Sequence, residues 1–351
     1  TAALRHGGDL AALRHGGDLA ALHHGGDLAA AARAYPDAPQ PWIDLSTGIN
    51  PWPYPVPPLP TDVWGRLPGA AEEEALRQAA AGFFGVADPA LVLPSAGAQP
   101  LIQALPRLLA ARTVAVAGPT YAEPAAAWRA AGAAVADRWT PDAVLAGAVA
   151  ADVLVAVNPN NPDGRIWPPE VLLQVADAAA AQGGWLVVDE AFADASPALS
   201  VAPQAGRPGL IVLRSFGKFF GLAGARLGFL LADYDLVAKA RALLGPWSVS
   251  GPALALGAAA YADQQWIAAT RRRLDAAAAE LDAVIVEAGF AVVGGTSLFR
   301  LLACPDGPAL FRRLAAAGVW TRPFADQPQR LRLGLPPNDS ALKRLKAALN
   351  G

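Results

Sequence analysis

Short apolar runs alternate with helix-patterned segments through the middle of this chain. The runs lie at 91–93, 113–117, 153–157, 185–188, 210–214 and 227–231. Consecutive apolar positions, as in "DVLVAVNP" and "GWLVVDEAF", mark strands buried on both faces. With helices between them they predict an α/β fold, a mostly parallel sheet covered by helices on both sides. A further helical pattern begins near Ala71 in "AAEEEALRQAAAGFFG", its glutamates in the first turn, where the helix dipole favours anions. After Pro246 the pattern changes. A long helical stretch at 252–288 carries an arginine cluster at 271–273. Strand-like "FAVVGGTSLFRLLA", a helix near 309–317, the strands "GVWTRPF" and "QRLRLGLP" and a last helix follow.

The expected organisation has four parts. Residues 1–34 form an Ala-rich arm, and 35–60 a Pro-rich segment on an extended path at the active-site entry, belonging with the small domain. Residues 61–245 form the large domain, and 246–351 a smaller α+β domain.

The arm spells "HGGDL" three times, at 6–10, 15–19 and 24–28, in nine-residue units that hold all 4 histidines of the chain. A metal-binding array needs ligands one helical turn apart or gathered by a fold. The Gly-Gly pairs oppose a rigid helix and no cysteine lies nearby, so a duplicated arm is the expected reading and no metal site is expected.

At 351 residues, 54% apolar and 17% charged, the sequence is that of a folded globular protein with a substantial core. A net charge of −2 argues against a general nucleic-acid binder. Cys304 is the sole cysteine, which excludes an internal disulfide framework and suits a reducing cytoplasm. No apolar run is long enough to span a bilayer, and no basic-then-apolar signal pattern opens the chain.

Beyond His24 there is no histidine, so Ser-His-Asp and Cys-His mechanisms and His-ligated zinc lack their central residue in the body of the chain. "SFGKFF" is not a phosphate-binding P-loop, because Phe219 stands where Ser or Thr is needed. Lysine occurs only at 218, 239, 343 and 346, and the last three fall in amphipathic helical patterns. Lys218 instead follows a predicted strand among aromatic residues and glycines, surroundings that lower an ammonium's pKa and make a nucleophilic amine. Asp189 ends a buried strand, with Ala191 two residues on. Asn161 and Tyr121 follow two other strand ends, and "PSAGAQ" opens a helix whose free N–H groups suit a phosphate. Ligands in open α/β sheets lie beyond the carboxyl ends of the strands, where all these groups fall.

In this order and spacing, "NPNNPDG", "DEAF" and "SFGK…GARLGF" resemble the fold-type I pyridoxal-phosphate enzymes, in the branch containing histidinol-phosphate aminotransferase. The resemblance implies that Lys218 bonds the cofactor, Asp189 pairs with its ring nitrogen, Asn161 donates to its phenolate oxygen and Tyr121 stacks on the ring. It implies a phosphate held by Gly97, Ala98, Gln99, Ser215 and Arg226, and a substrate carboxylate met by Arg332. "HGGDL" from His24 onward, followed by "IDLSTGINP", is similar to the threonine-phosphate decarboxylases of cobalamin synthesis. That family implies decarboxylation of L-threonine O-3-phosphate, in a homodimer. A substrate with a carboxylate and a phosphate needs two anion sites, for which Arg322 and Arg332 on the last predicted strands are the expected clamps, with His24, Asn50 and Asn161 completing the substrate contacts. Two positions depart from the aminotransferase pattern: Phe192 stands where a tyrosine is usual, and Leu67 where a tyrosine often crosses the dimer. The alternatives are a histidinol-phosphate-type aminotransferase and a non-catalytic cofactor-binding regulator with a DNA-binding head, for which the arm is too short and glycine-broken.

Overall fold

The computed structural model describes residues 25–351, so His24 and the first two repeats lie outside the described residues. Two compact units emerge, one from the chain up to Pro51 together with Arg273–Gly351, the other Trp52–Arg272.

The first unit opens on the third repeat. Asp27 Oδ1 accepts the Ala30 N–H at 2.8 Å and caps helix Leu28–Ala34, which buries Ala30, Ala31 and Ala34. The Gly26 N–H donates to Ser46 Oγ at 2.8 Å, and a Cβ on Gly25 would lie 2.5 Å from the Ser46 carbonyl oxygen. The two glycines thus seat the chain on "STGIN", and the aspartate starts the helix that follows. Ala31 is fully buried, whereas Leu13 and Leu22 stand at the same distance after the earlier aspartates. Only the third copy offers the small residue this packing takes. Strand β1 (Ile43–Asp44), within the Pro-rich segment, pairs in parallel with a later strand.

The second unit carries β2 (Val92–Ser95), β3 (Thr113–Val116), β4 (Ala134–Ala136), β5 (Val153–Val157), β6 (Trp185–Asp189), β7 (Leu210–Ser215) and β8 (Gly228–Leu231). They form one seven-stranded sheet in the order β2-β8-β7-β6-β5-β3-β4, parallel except at β8, which runs antiparallel to both neighbours. On one face Val114, Val155, Val187, Ile211 and Leu213 pack under helices Ala98–Leu109, Ala122–Ala130 and Tyr234–Leu244. The other face receives helices Ala70–Phe84 and Pro169–Ala180. Six strands coincide with the apolar runs. β4 was not expected, because only its middle residue is even half-buried and its three residues carry little apolar signal.

The remaining strands are β9 (Ala291–Thr296), β10 (Phe299–Ala303), β11 (Val319–Trp320), β12 (Arg322–Pro323) and β13 (Arg330–Gly334). β11 is the partner of β1, and the others form an antiparallel sheet in the order β12-β13-β10-β9. The helical stretch expected at 252–288 is two helices, Gly251–Ala262 and Gln264–Glu287. Asp263 interrupts it, its carboxylate accepting the Trp266 N–H at 2.9 Å as a cap. The units divide within the second of these helices. No helix among the described residues is long and apolar enough to cross a membrane.

Candidate active site

Strand pairing aligns the chemistry. Asp189 ends β6 opposite Leu213 of β7, and Ser215 lies two residues further on, so the carboxyl and the hydroxyl share the Leu213 face. Gly228 of β8 is registered with Ser215 on one side and Ser95 of β2 on the other. A row of small side chains, Ser95-Gly228-Ser215, therefore crosses the sheet edge beside Asp189. A Cβ on Gly228 would lie 2.5 Å from the Ala98 nitrogen, so this glycine lets the start of helix Ala98–Leu109 come down onto the row.

That helix start is built for an anion. Its N-cap, Gly97, supplies no side chain to the first N–H groups. The Ser95 hydroxyl is buried with no hydrogen-bond partner among the described residues. Arg226 adopts a left-handed backbone at φ 51° and lays its Nη2 2.7 Å from where a Gly97 Cβ would stand. Bare N–H groups, two hydroxyls and a guanidinium suit a phosphate monoester. Gly97 itself has φ 95°. Gly97→Ala is expected to strain the backbone and push Arg226 aside, raising the dissociation constant for the phosphate-bearing ligand about tenfold or more, as read by equilibrium titration.

Lys218 lies half-buried in the short helix Phe216–Phe219, with Nζ 5.8 Å from the centre of the Phe192 ring. Burial pushes the Asp189 carboxyl up to about 6, while the Ala191 N–H, 3.0 Å from Oδ1, and the Lys218 charge pull it down. The amine and the acid are thus within electrostatic reach of each other. Ala191 contributes its backbone N–H to this arrangement.

Tyr121 precedes helix Ala122–Ala130 and is half-buried. Its hydroxyl donates to Gln99 Oε1 at 3.2 Å, and Gln99 Nε2 donates to Glu123 Oε2 at 2.6 Å. The Gln99 side chain is therefore engaged by protein groups, which leaves its backbone N–H, with that of Ala98, for a phosphate. Burial, then Glu123 and Asp189, raise the Tyr121 pKa against Arg226, so the phenol stays neutral. After β5, Asn158 bonds to Trp167 and to the Leu199 carbonyl, and Asn160 to Thr120, Pro119 and Asp163. They brace the turn that presents half-buried Asn161.

The other unit holds a pair of arginines. Arg322 of β12 is registered directly across from Arg332 of β13, and Arg332 is 7% exposed. Burial and the facing Arg322 pull the Arg332 pKa down to about 9, against Asp44. Two guanidiniums sharing a cross-strand position repel each other, which an anion would relieve. Arg332 Nη2 donates to the Ser46 carbonyl at 2.6 Å, the residue on which the third repeat is seated. Asn50, in the same segment, is buried. Sequence reading missed Glu123, Ser95 and the buried charges behind Asp189. Only "DEAF", with its second acid, hinted at the last.

The family model for aminotransferase class I and II matches residues 65–349. The chain is 46% identical to the threonine-phosphate decarboxylase of Pseudomonas aeruginosa over 321 residues, 92% of this chain and 95% of that one. It is 46% identical to that of a Sinorhizobium species over 324 residues, 91% and 95% of the two chains. In fold it matches histidinol-phosphate aminotransferase from Sinorhizobium meliloti in complex with pyridoxal-5'-phosphate, with a TM-score of 0.81, 22% identity, and 92% and 93% of the two chains covered.

Proposed function

The chain belongs to the class I and II aminotransferase family, and from that membership we propose that it is a lyase that decarboxylates L-threonine O-3-phosphate to (R)-1-amino-2-propanol O-2-phosphate with pyridoxal phosphate. The observation that carries the reading is the 46% identity to two threonine-phosphate decarboxylases along more than nine-tenths of the chain. The seat of the third repeat on Ser46, which also receives Arg332, supports it from the geometry.

Pyridoxal phosphate, when bound, supplies a ring that takes up the electron pair left when a bond at the substrate α-carbon breaks. Asp189 would pair with the ring nitrogen and keep it protonated. The Ser95-Gly228-Ser215 row, the N–H groups of Ala98 and Gln99, and Arg226 hold the phosphate. Tyr121 would cover the ring and Asn161 would donate to its phenolate oxygen. Phe192 supplies no hydroxyl there, so Asn161 is the donor.

The substrate brings a carboxylate and a phosphate, and the planar forks of Arg322 and Arg332 suit both. His24 and Asn50 complete the contacts. Gripping the substrate by both anionic groups, Arg322 and Arg332 would fix how its α-carbon is presented, and so which of that carbon's bonds is cleaved. Lys218 would hold the proton that takes the place of the departing carboxylate at the α-carbon, CO2 being the leaving group. Large exposed apolar side chains at Trp64, Leu67 and Trp247 support a homodimer. The reading sets the reaction in cobalamin synthesis, in the cytoplasm.

Incubated with O-phosphothreonine and no 2-oxoacid, the holoenzyme is expected to release CO2 and aminopropanol phosphate over many turnovers. A stoichiometric amino transfer without CO2 would instead assign it to the histidinol-phosphate-type aminotransferases.

A further inference from the structure

Behind the catalytic face lies a buried ion cluster. Arg214 of β7 is 2% exposed, Glu190 0% and Asp194 1%. Arg214 bonds through Nη1 to Glu190 Oε2 at 2.5 Å and through Nη2 to Asp194, and Nη1 also reaches Ser200 Oγ at 3.0 Å. Glu190 Oε1 accepts the Val201 N–H at 2.7 Å, and the Arg271 Nε donates to the Asp194 carbonyl at 3.0 Å. The Phe84 ring lies 4.6 Å from the guanidinium carbon.

A cluster of this kind is not explained by stability. Apolar side chains of the same volume are often as stable as buried ions. Nor is it saturated: Asp194 Oδ2, Arg214 Nε and the Tyr261 hydroxyl are buried with no hydrogen-bond partner among the described residues. Its position is more telling. Neighbours along a strand point to opposite faces, so Glu190 lies behind Asp189 and Arg214 behind Ser215. The Glu190 N–H continues the ladder to the Leu213 carbonyl at 2.9 Å, one step past Asp189. Arg214 precedes Lys218 by one short turn of chain. The ion pairs therefore join, from the rear, the two strand ends that carry the acid and the amine.

We propose that Arg214 is a positioning residue: by gripping Glu190 and Asp194 behind the sheet it fixes the Asp189 carboxylate relative to the Lys218 amine, and with them the tilt of the cofactor ring. The inference rests on the cofactor reading above.

Arg214→Met, Arg214→Lys and Glu190→Gln holoenzymes test it by visible circular dichroism of the bound cofactor, cofactor release rate and kcat, all well below each variant's melting temperature. Arg214→Met is expected to alter the visible band, speed release and lower kcat about 10²-fold, the scale of a misplacement of about 1 Å. Arg214→Lys restores part of the band and the rate. Glu190→Gln keeps its shape and its acceptor for Val201, changes the band in the same sense, and decides the matter should Arg214→Met not fold. Variants that melt earlier but keep the wild-type band and release rate overturn the proposal and leave Arg214 a stabilising residue. A wild-type protein with no visible band refutes the cofactor reading instead.

Discussion

Turnover of O-phosphothreonine falls about 10⁴-fold or more in Lys218→Ala, and the variant no longer takes a stable borohydride label with pyridoxal phosphate. On the proposed reading the loss is large because one amine would do two jobs, holding the cofactor covalently and returning the proton to the α-carbon. No other lysine can take over. Lys239 and Lys343 are exposed on helices Tyr234–Leu244 and Asp339–Asn350, and Lys346 is paired with Glu287 at 2.7 Å. Lys218→Arg separates charge from chemistry. It keeps a cation beside Phe192 and near Asp189, but a guanidinium is not deprotonated in a protein, so the loss is expected to match that of alanine. A lysine-to-alanine variant retaining a tenth of wild-type kcat would place the reactive amine elsewhere.

The large sheet was legible because strands buried on both faces leave unbroken apolar runs, and their carboxyl ends are the places where polar residues become affordable. Asp189, Asn161 and Ser215 each follow such a run, which is why sequence alone brought them to one edge. The direction of β8 was not legible, since an apolar run reads the same whether its neighbour is parallel or antiparallel. Nor was the ion cluster. Arg214 ends an apolar run as a solvent-facing arginine would, and its burial depends on Glu190 and Asp194, 24 and 20 residues away. Gln99 looked like a phosphate ligand by position, whereas its amide is engaged by Tyr121 and Glu123. The third repeat carried its own answer in Ala31, but that residue acquires meaning only when the helix it belongs to is packed.

Asp189→Asn is expected to lower kcat about 10³-fold while making the cofactor-free protein more stable at neutral pH. An amide can still accept the Ala191 N–H, so the shape survives, but it cannot hold a proton on the ring nitrogen and the ring's capacity to accept electrons drops. The stability gain follows from linkage. The Asp189 carboxyl titrates near 6 when folded and from 3.8 in its unperturbed state, so between those values the folded protein binds the extra proton. Its contribution is fully present below the lower value and is lost as pH rises through about 6. The shift of about two pKa values corresponds to roughly 3 kcal/mol at pH 7, which the neutral amide does not forfeit. Melting the cofactor-free proteins from pH 4 to 8 isolates this group, because Glu190 and Asp194 are common to both. Wild type should lose stability relative to the variant as pH rises, and binding pyridoxal phosphate should return much of it by setting a ring N–H⁺ against the carboxylate. Parallel pH profiles for the two cofactor-free proteins would mean that Asp189 bears no buried charge awaiting a cationic partner, and the assignment of the ring nitrogen to it would be lost.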